Sequence, residues 1–458
     1  MTLAPAPSRE TIVGVATPIG EGALAVVRIS GPDALRIARA LAPGLPSGLQ
    51  PRVATLARIE SNRGALIDRS LVLWFKAPAS FTGEDTVEIQ CHGGVETVRA
   101  IVAGASEQGA RLAEPGEFSR RAFLNGKLDL TQVEAIADVI KARGEAAHAL
   151  AQAQLDGAIG RALAGPRAAL VDLLVLVEAA IDFSTEEHVY SLAPTEVARR
   201  LTQPLAALNA LLGTHESGRL RHDGVRVAIV GAPNAGKSSL LNHLLQWERA
   251  IVTEVPGTTR DTIEESVVIE GVCYRLVDTA GLRETDDRVE QLGIARTRAA
   301  LAAADVTLVV VDSAASGQIP HEVGDAVTTA VWGVVWNKRD VASGDPRGQL
   351  PGRPECWVSL ANGQDTEALR PLLQALARDA GLRGDEDSVL ITRERHREAL
   401  RDAVESLERA RQAGVEGFEH EFIALDLRLG LDALGRLTGA ITSDDVLNRI
   451  FEGFCIGK

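Results

Sequence analysis

The sequence predicts a multidomain protein of mixed α/β and α parts: an N-terminal α/β domain, then a discontinuous helical domain into which a mostly parallel, helix-wrapped sheet is inserted. Three observations carry this. The 458 residues exceed what one ordinary domain holds. Near Lys127 the composition shifts from short apolar runs punctuated by glycine and proline to Ala, Leu, Gln and Glu with apolar residues at helical spacing. From residue 225 to about 378, apolar β-rich runs alternate with helical stretches, and the helical pattern returns after Gly384.

In chain order, the runs 24–29, 71–75 and 86–90, the last before Gly93 and Gly94, read as strands with helices between them. Val133, Ile136 and Ile140 share one helical face and open the long helices of 127–220. The runs 225–230, 306–311 and 331–336 are the strands of the inserted sheet. Beyond it, Leu400, Val404 and Leu407 mark one helical face, and Phe422, Leu425 and Leu429 mark the next. The simplest arrangement packs these helices on those before Leu220, since insertion at an exposed loop is physically cheap; the alternative is two independent helical domains. The expected boundaries are 1–125, 126–220, 221–384 and 385–458.

Composition excludes several classes. Apolar residues at 45% and charged ones at 24% give a globular balance. With 48 basic and 62 acidic residues the net charge is −14, which excludes a protein that coats nucleic acid and leaves only local RNA contact. Nine Phe, five Trp and two Tyr supply few base-stacking platforms. Cys91, Cys273, Cys356 and Cys455 form no CxxC pair, so neither a disulfide framework nor a zinc site is expected, and a cytoplasmic location fits. Cys91 and His92 are adjacent on a strand, point to opposite faces and make a poor metal pair. The apolar stretch 170–181 is broken by Asp172 and Glu178, so no membrane span is expected, and residues 1–10 read as neither a signal nor a transit peptide.

The sharpest signal is Gly231-Ala232-Pro233-Asn234-Ala235-Gly236-Lys237-Ser238, a G-x-x-x-x-G-K-S loop after a strand run and before the helical Leu240, Leu241 and Leu244. Glycines let backbone N–H groups close around phosphate oxygens, the helix N-terminus adds its positive end, Lys237 bridges the β- and γ-phosphates, and Ser238 ligates magnesium. Ser239 continues the loop into the helix. Asp278-Thr279-Ala280-Gly281 and Asn337-Lys338-Arg339-Asp340 follow two further strand runs. Asp278 suits a water-mediated hold on magnesium and the Gly281 N–H suits the γ-phosphate. The Asp340 carboxylate accepts two hydrogen bonds, matching the N1–H and 2-amino donors of guanine, which adenine lacks as a pair. GTP is therefore the expected nucleotide. Asn337 and the stem of Lys338 brace the base pocket or simply support the loop.

These motifs make 225–378 resemble the Ras-like translation-factor GTPases. The resemblance puts Gly257-Thr258-Thr259-Arg260-Asp261 at the first switch, with Thr259 as a second hydroxyl on magnesium, and makes Ser359, Leu360 and Ala361 the candidates for contact with the guanine O6. Leu282 stands where Ras-type proteins carry the glutamine that orients the attacking water, so that group must come from elsewhere, and 283–290 offers several carboxylates.

The whole chain resembles the MnmE (TrmE) family of tRNA modification GTPases. The residues that carry the likeness are Gly116 through Leu130 (Gly-Glu-Phe-Ser-Arg-Arg-Ala-Phe-Leu-Asn-Gly-Lys-Leu-Asp-Leu), Gly-Thr-Thr-Arg-Asp from Gly257, Asp-Thr-Ala-Gly-Leu-Arg-Glu from Asp278, and Cys455-Ile456-Gly457-Lys458. The resemblance implies a folate-binding and dimerising N-terminal domain, and joint action with MnmG, a flavin protein. Together the two install an aminomethyl or carboxymethylaminomethyl group at carbon 5 of the wobble uridine of certain tRNAs. The one-carbon unit comes from a 5-formyl- or methylene-tetrahydrofolate, and GTP hydrolysis gates the conformational cycle.

By the same resemblance, Arg28, Glu88, Lys127 and Lys458 bind the folate, whose carboxylates suit cations and whose pterin edge suits a carboxylate. Taken singly, each reads as a solvated surface charge. Glu290 matches the family's catalytic glutamate. Asn234, with oxygens around Thr253, Val255 and Thr258, matches its potassium site, a cation beside the phosphates in place of an arginine finger. Arg260 and Arg283 fit switch or dimer stabilisation better than a finger. Cys455 is either a thiol at the reacting carbon or a structural one. Two other classes stay open: a ribosome-assembly GTPase without modification chemistry, and a GTP-gated scaffold whose partner does all the catalysis.

Overall fold

The computed structural model of the protein describes residues 10–18, 20–182, 193–247, 265–278, 302–315, 329–347, 350, 352–383, 389–441, 444–452, 454 and 457. They divide into two compact units, Met1–Ala137 with Leu434–Lys458, and Asp138–Ala433.

In the first unit the chain runs β1 (Ile12–Val15), β2 (Gly22–Ser30), α1 (Ala34–Leu41), β3 (Thr55–Glu60), β4 (Leu66–Phe75), β5 (Thr86–Gly93), α2 (Val95–Glu107), β6 (Arg111–Leu112), α3 (Glu117–Leu124) and the start of α4 (Leu130–Lys141). Among the described residues, six strands form a sheet in the order β3-β4-β5-β2-β1-β6, antiparallel except where β6 joins β1. Side chains alternate along each strand. Ala25, Val27 and Ile29 of β2, with Val87, Ile89 and Cys91 of β5, therefore bury on the face that α1 and α2 cover through Ile37, Leu41, Ile101 and Ala105. The opposite face carries Arg28, Glu88, Gln90 and His92. Cys91 is buried and His92 exposed, as opposite faces require.

The Gly116–Leu130 stretch has a structural reason for its composition. Gly116 sits at φ 69°, and a β-carbon there would lie 2.9 Å from the Phe451 ring. Phe118 is fully buried. Arg121, also buried, donates to Glu84 at 3.1 Å and to Glu117 at 3.0 Å, while Arg111 reaches Glu117 at 2.6 Å. Burial pushes the Glu117 carboxyl up, but the hydrogen bonds from Arg111, the Glu114 N–H and Arg121 prevail and hold it below its ordinary value. Such a network leaves no buried charge unpaired.

The second unit holds α5 (Glu145–Leu155), α6 (Ala158–Asp182), α7 (Pro194–Leu212), α8 (His215–Asp223), β7 (Val225–Gly231), α9 (Lys237–Gln246), β8 (Glu265–Ile269), β9 (Val272–Asp278), β10 (Val306–Asp312), β11 (Trp332–Asn337), β12 (Glu355–Trp357), α10 (Leu369–Asp379), α11 (Glu394–Glu416) and most of α12 (His420–Thr438). Helix α13 (Asp444–Glu452) belongs to the first unit, where Leu447 and Phe451 pack on Leu130 and Val133.

The second sheet has the order β12-β11-β10-β7-β9-β8, parallel but for β8. Its central strands are apolar on both faces, as burial under helices demands: Val227 and Ile229 pack with Leu240, Leu244, Leu373 and Leu376, whereas Ala228 and Val230 pack with Val309 and Trp336. The chain leaves the helices at Gly224 and comes back beside its exit. Gln154 donates to the Leu390 carbonyl at 2.9 Å, the Ile391 N–H donates to Thr214 at 3.2 Å, and a β-carbon on Gly218 would lie 2.1 Å from the Ile391 oxygen. Helix α11 then packs along α7.

One expected face differs. The spacing predicts that Phe422, Leu425 and Leu429 pack inward, yet all three are exposed, and α12 buries Ile423, Ala424, Leu427 and Ala433 instead. The helix carries two apolar stripes, and periodicity alone does not choose between them.

At the exit, His222 shares one cluster with Asp138, Asp223 and Arg393: its Nε2 lies 3.0 Å from Asp138, its Nδ1 2.8 Å from Asp223, and Arg393 also donates to Asp138. Burial pushes the imidazole down, but the hydrogen bonds and charges of the two carboxylates outweigh it and raise its pKa to about 9. The folded value lies above the ordinary 6.5, so this stabilisation is complete below about pH 6.5 and is lost as pH rises through about 9. Melting temperatures from pH 6.5 to 10 should fall more steeply for the wild type than for His222→Gln. Parallel curves would show that His222 gains no proton on folding.

Candidate functional site

The phosphate loop joins the carboxyl end of β7 to the N-terminus of α9. Its conformation depends on residues without room for side chains. A β-carbon on Gly231 would lie 2.3 Å from the Val310 carbonyl oxygen, and Gly236, the N-cap of α9 at φ 107°, would place one 2.2 Å from Asn337 Nδ2. Asn234 adopts φ 61°, a conformation that asparagine tolerates better than most residues. Lys237 Nζ folds over the loop and donates to the Gly231 and Ala232 carbonyls, both at 2.9 Å. Ser238 and Ser239 follow it in the first turn of α9. This is a helix N-terminus with a cation held over a tight loop, suited to an anion.

The base side is built around Asn337, the last residue of β11 and only 4% exposed. Its Nδ2 donates to the Ala235 carbonyl at 2.9 Å, and its Oδ1 accepts from the Leu360 N–H at 3.1 Å. One buried side chain thus fastens the phosphate loop to the 359–361 loop. Ser359 Oγ donates to Asp340 Oδ1 at 2.6 Å, which brings that loop and the Asp340 carboxylate together. Lys338 takes φ 65° and its Nζ lies 2.5 Å from Asp312. Burial raises the Asp312 carboxyl, but the hydrogen bonds from Lys338 and the Ala314 N–H dominate and hold it low.

Asp312 and Ser313, at the carboxyl end of β10, were not singled out from the sequence. Ser313 donates to the Asn337 carbonyl, and Trp357 Nε1 reaches Ser313 at 3.3 Å. The available signal was their place directly after an apolar strand run in a parallel sheet. Asp278 closes β9, opposite Ile229 on β7. Thr253, Val255, Thr258, Thr259, Thr279, Ala280, Gly281, Leu282 and Glu290 lie outside the described residues, as do Cys455 and Lys458.

In the first unit, Arg28 and Glu88 are not solitary surface charges. They stand opposite each other on β2 and β5, and Arg28 donates through Nε and Nη2 to Glu88 Oε1 at 2.9 and 2.7 Å. The guanidinium lies 5.5 Å from the Phe81 ring centroid and 5.6 Å from that of Phe118, so the pair is mostly covered. Sequence distance hid this, since 60 residues separate the two. Lys127 donates to the Pro78 carbonyl at 3.1 Å. Across β1, Gly14 is paired with Arg28, and a β-carbon on Gly14 would lie 3.0 Å from Phe118 and 3.4 Å from Gly457 Cα. Gly457, at φ 101°, would place a β-carbon 1.9 Å from the Val15 carbonyl oxygen. Gly457 therefore rests on the same sheet face as the Arg28–Glu88 pair.

Among the described residues, no helix is long and apolar enough to cross a membrane. A family model described as the MnmE helical domain matches residues 130–455, and one described as the GTP-binding protein TrmE N-terminus matches residues 11–127. The chain is 44% identical over 458 residues to the tRNA modification GTPase MnmE of Akkermansia muciniphila, covering 98% of this chain and 99% of that protein. It is 45% identical over 455 residues to the same-named protein of Alkalilimnicola ehrlichii, covering 98% and 100%. Among solved structures, the G domain of the T. maritima FeoB iron transporter is 25% identical, covering 33% of this chain and 98% of that one at a TM-score of 0.26.

Proposed function

The chain belongs to the MnmE family of tRNA modification GTPases, and from that membership and the two sites we propose that it hydrolyses GTP to gate modification of the tRNA wobble uridine at carbon 5, acting with the flavin protein MnmG. The observation that carries the nucleotide half is Asn337, whose buried amide ties the phosphate loop to the loop that holds Ser359 against Asp340. The phosphate loop and the base-side loop are thereby tied together, which suits a nucleoside triphosphate. Lys237 holds the β- and γ-phosphates, and Ser238 with Thr259 holds magnesium. Asn234, with Thr253, Val255 and Thr258, suits a potassium ion that supplies positive charge at the γ-phosphate, and Glu290 orients water.

The modification half rests on the other unit. The Arg28–Glu88 pair offers a charge-assisted donor and acceptor flanked by Phe81 and Phe118, chemistry that fits a flat heterocycle bearing carboxylates, and Lys127 adds a cation. A tetrahydrofolate, 5-formyl or methylene, would supply a one-carbon unit there. The β3–β4 end of that face, where exposed Leu56 stands opposite Leu71 next to Gln90 of β5, supports pairing of two chains as a homodimer.

Two measurements test this. Asp340→Asn should shift preference from GTP to xanthosine triphosphate, because the amide donates where the carboxylate accepted and so suits the xanthine C2 carbonyl; continued preference for GTP in competitive binding would remove Asp340 from base reading. Mass spectrometry of wobble nucleosides from cells lacking the protein should show uridine without the carbon-5 group. Unchanged nucleosides would sink the modification reading and favour the ribosome-assembly or scaffold alternatives.

A further inference from the structure

Strands β8 and β9 meet in a two-residue turn at Glu270 and Gly271, with φ of 48° and 78°, as a tight hairpin requires. In sequence this hairpin fills the interval between Gly257-Thr258-Thr259-Arg260-Asp261 and Asp278-Thr279-Ala280-Gly281. Its turn is held by the helical part of the unit. The Ala146 N–H, in the first turn of α5, donates to the Gly271 carbonyl at 3.1 Å. Gly144, at φ 90°, approaches so closely that a β-carbon would lie 2.6 Å from the same oxygen. Arg143 Nη1 donates to the buried Ser266 hydroxyl of β8 at 3.0 Å.

The geometry gives this contact leverage over the nucleotide site. Strand β9 pairs in parallel with β7 from Val225 opposite Tyr274 to Ile229 opposite Asp278. Strand β9 runs without a break from that turn to Asp278, so where its turn end is held bears on where its Asp278 end stands beside the phosphate loop. The turn and Asp278 are the two ends of one strand.

We infer that Arg143 and Gly144 are positioning residues for GTP hydrolysis: the loop between α4 and α5 fixes the turn end of the hairpin, and so sets where Asp278 stands against the phosphate loop. This rests on the nucleotide reading given above. Coupling of this kind is reciprocal. If Asp278 takes different positions with GDP and GTP, the loop feels the difference, and loosening the loop changes the relative affinity for the two nucleotides.

The experiment uses the full chain and four variants, Arg143→Ala, Arg143→Lys, Ser266→Ala and the double Arg143→Ala/Ser266→Ala. Dissociation constants are measured for fluorescent GDP and for a non-hydrolysable GTP analogue, together with melting temperatures. The ratio of the two constants should shift about fivefold or more in Arg143→Ala and in Ser266→Ala. It should shift no further in the double variant, because the pair acts as one contact, and should move back toward wild type in Arg143→Lys, which keeps a donor. A merely structural contact would lower the melting temperature and leave the ratio in place, which overturns the inference. Ser266→Ala removes a single hydroxyl, so it serves if the arginine variants fail to fold. Wild-type protein that binds neither nucleotide overturns the GTP reading and the inference together, whereas tight wild-type binding with an unchanged ratio overturns the inference alone.

Discussion

Gly236→Ala should reduce affinity for guanine nucleotides by about 100-fold or more and abolish hydrolysis. The added carbon would lie 2.2 Å from Asn337 Nδ2, at a backbone φ of 107° that disfavours any side chain. Asn337 has nowhere to retreat, since it is buried between the Ala235 carbonyl and the Leu360 N–H and bonds to both. Making room breaks both bonds, and each unsatisfied buried group costs about 1–3 kcal/mol. Two such losses account for the expected factor, since about 2.7 kcal/mol corresponds to 100-fold. Titration with a fluorescent GTP analogue measures it, and far-ultraviolet circular dichroism should remain close to wild type. Binding within threefold of wild type would show that the phosphate loop does not need the geometry described. Asn337→Ala serves as the companion: it frees the space but removes both ties, so it should weaken binding without the backbone strain.

The nucleotide site was largely legible because its chemistry is local. Gly231 to Ser238 spells out a turn, a cation and a helix start within eight residues, and the strand before it is apolar on both faces. Asn337 ends a similar strand and Asp340 follows three residues later. What the sequence did not show is that Asn337 joins two loops, because Ala235 and Leu360 are remote from it in the chain and their partners are backbone groups. The Arg28–Glu88 pair was less legible still. Each residue alternates on an ordinary strand, and only the register of β2 against β5 makes them neighbours. Asp312 and Ser313 are hard to read from sequence because a short polar residue after a strand usually means a turn. On α12 two apolar stripes satisfy the same period, and tertiary packing decides that Leu427 rather than Leu425 is buried.

Gly457→Ala should abolish wobble modification and weaken folinate binding about tenfold while leaving GTP hydrolysis near wild type. Gly457 rests on β1, where a β-carbon would fall 1.9 Å from the Val15 carbonyl oxygen, far inside contact distance for atoms that are both backbone-fixed. At φ 101° alanine is strained as well. Residue 457 must therefore lift from the strand. Two observations give the lift a local consequence: Gly14 pairs with Arg28 across β1 and β2, and Gly14 and Arg28 both face Phe118. Cys455 and Lys458, proposed for the reacting carbon and the folate, flank Gly457 in sequence by two residues and one. The nucleotide motifs, from Gly231 to Ala361, belong to the other compact unit, so hydrolysis measured on the same preparation serves as the control. Full modification with Gly457→Ala would remove this stretch from the folate site. Loss of both activities would mean that the substitution unfolds the protein, and the milder Lys458→Ala then decides, since it leaves the Gly457 contact intact and removes only the proposed cation.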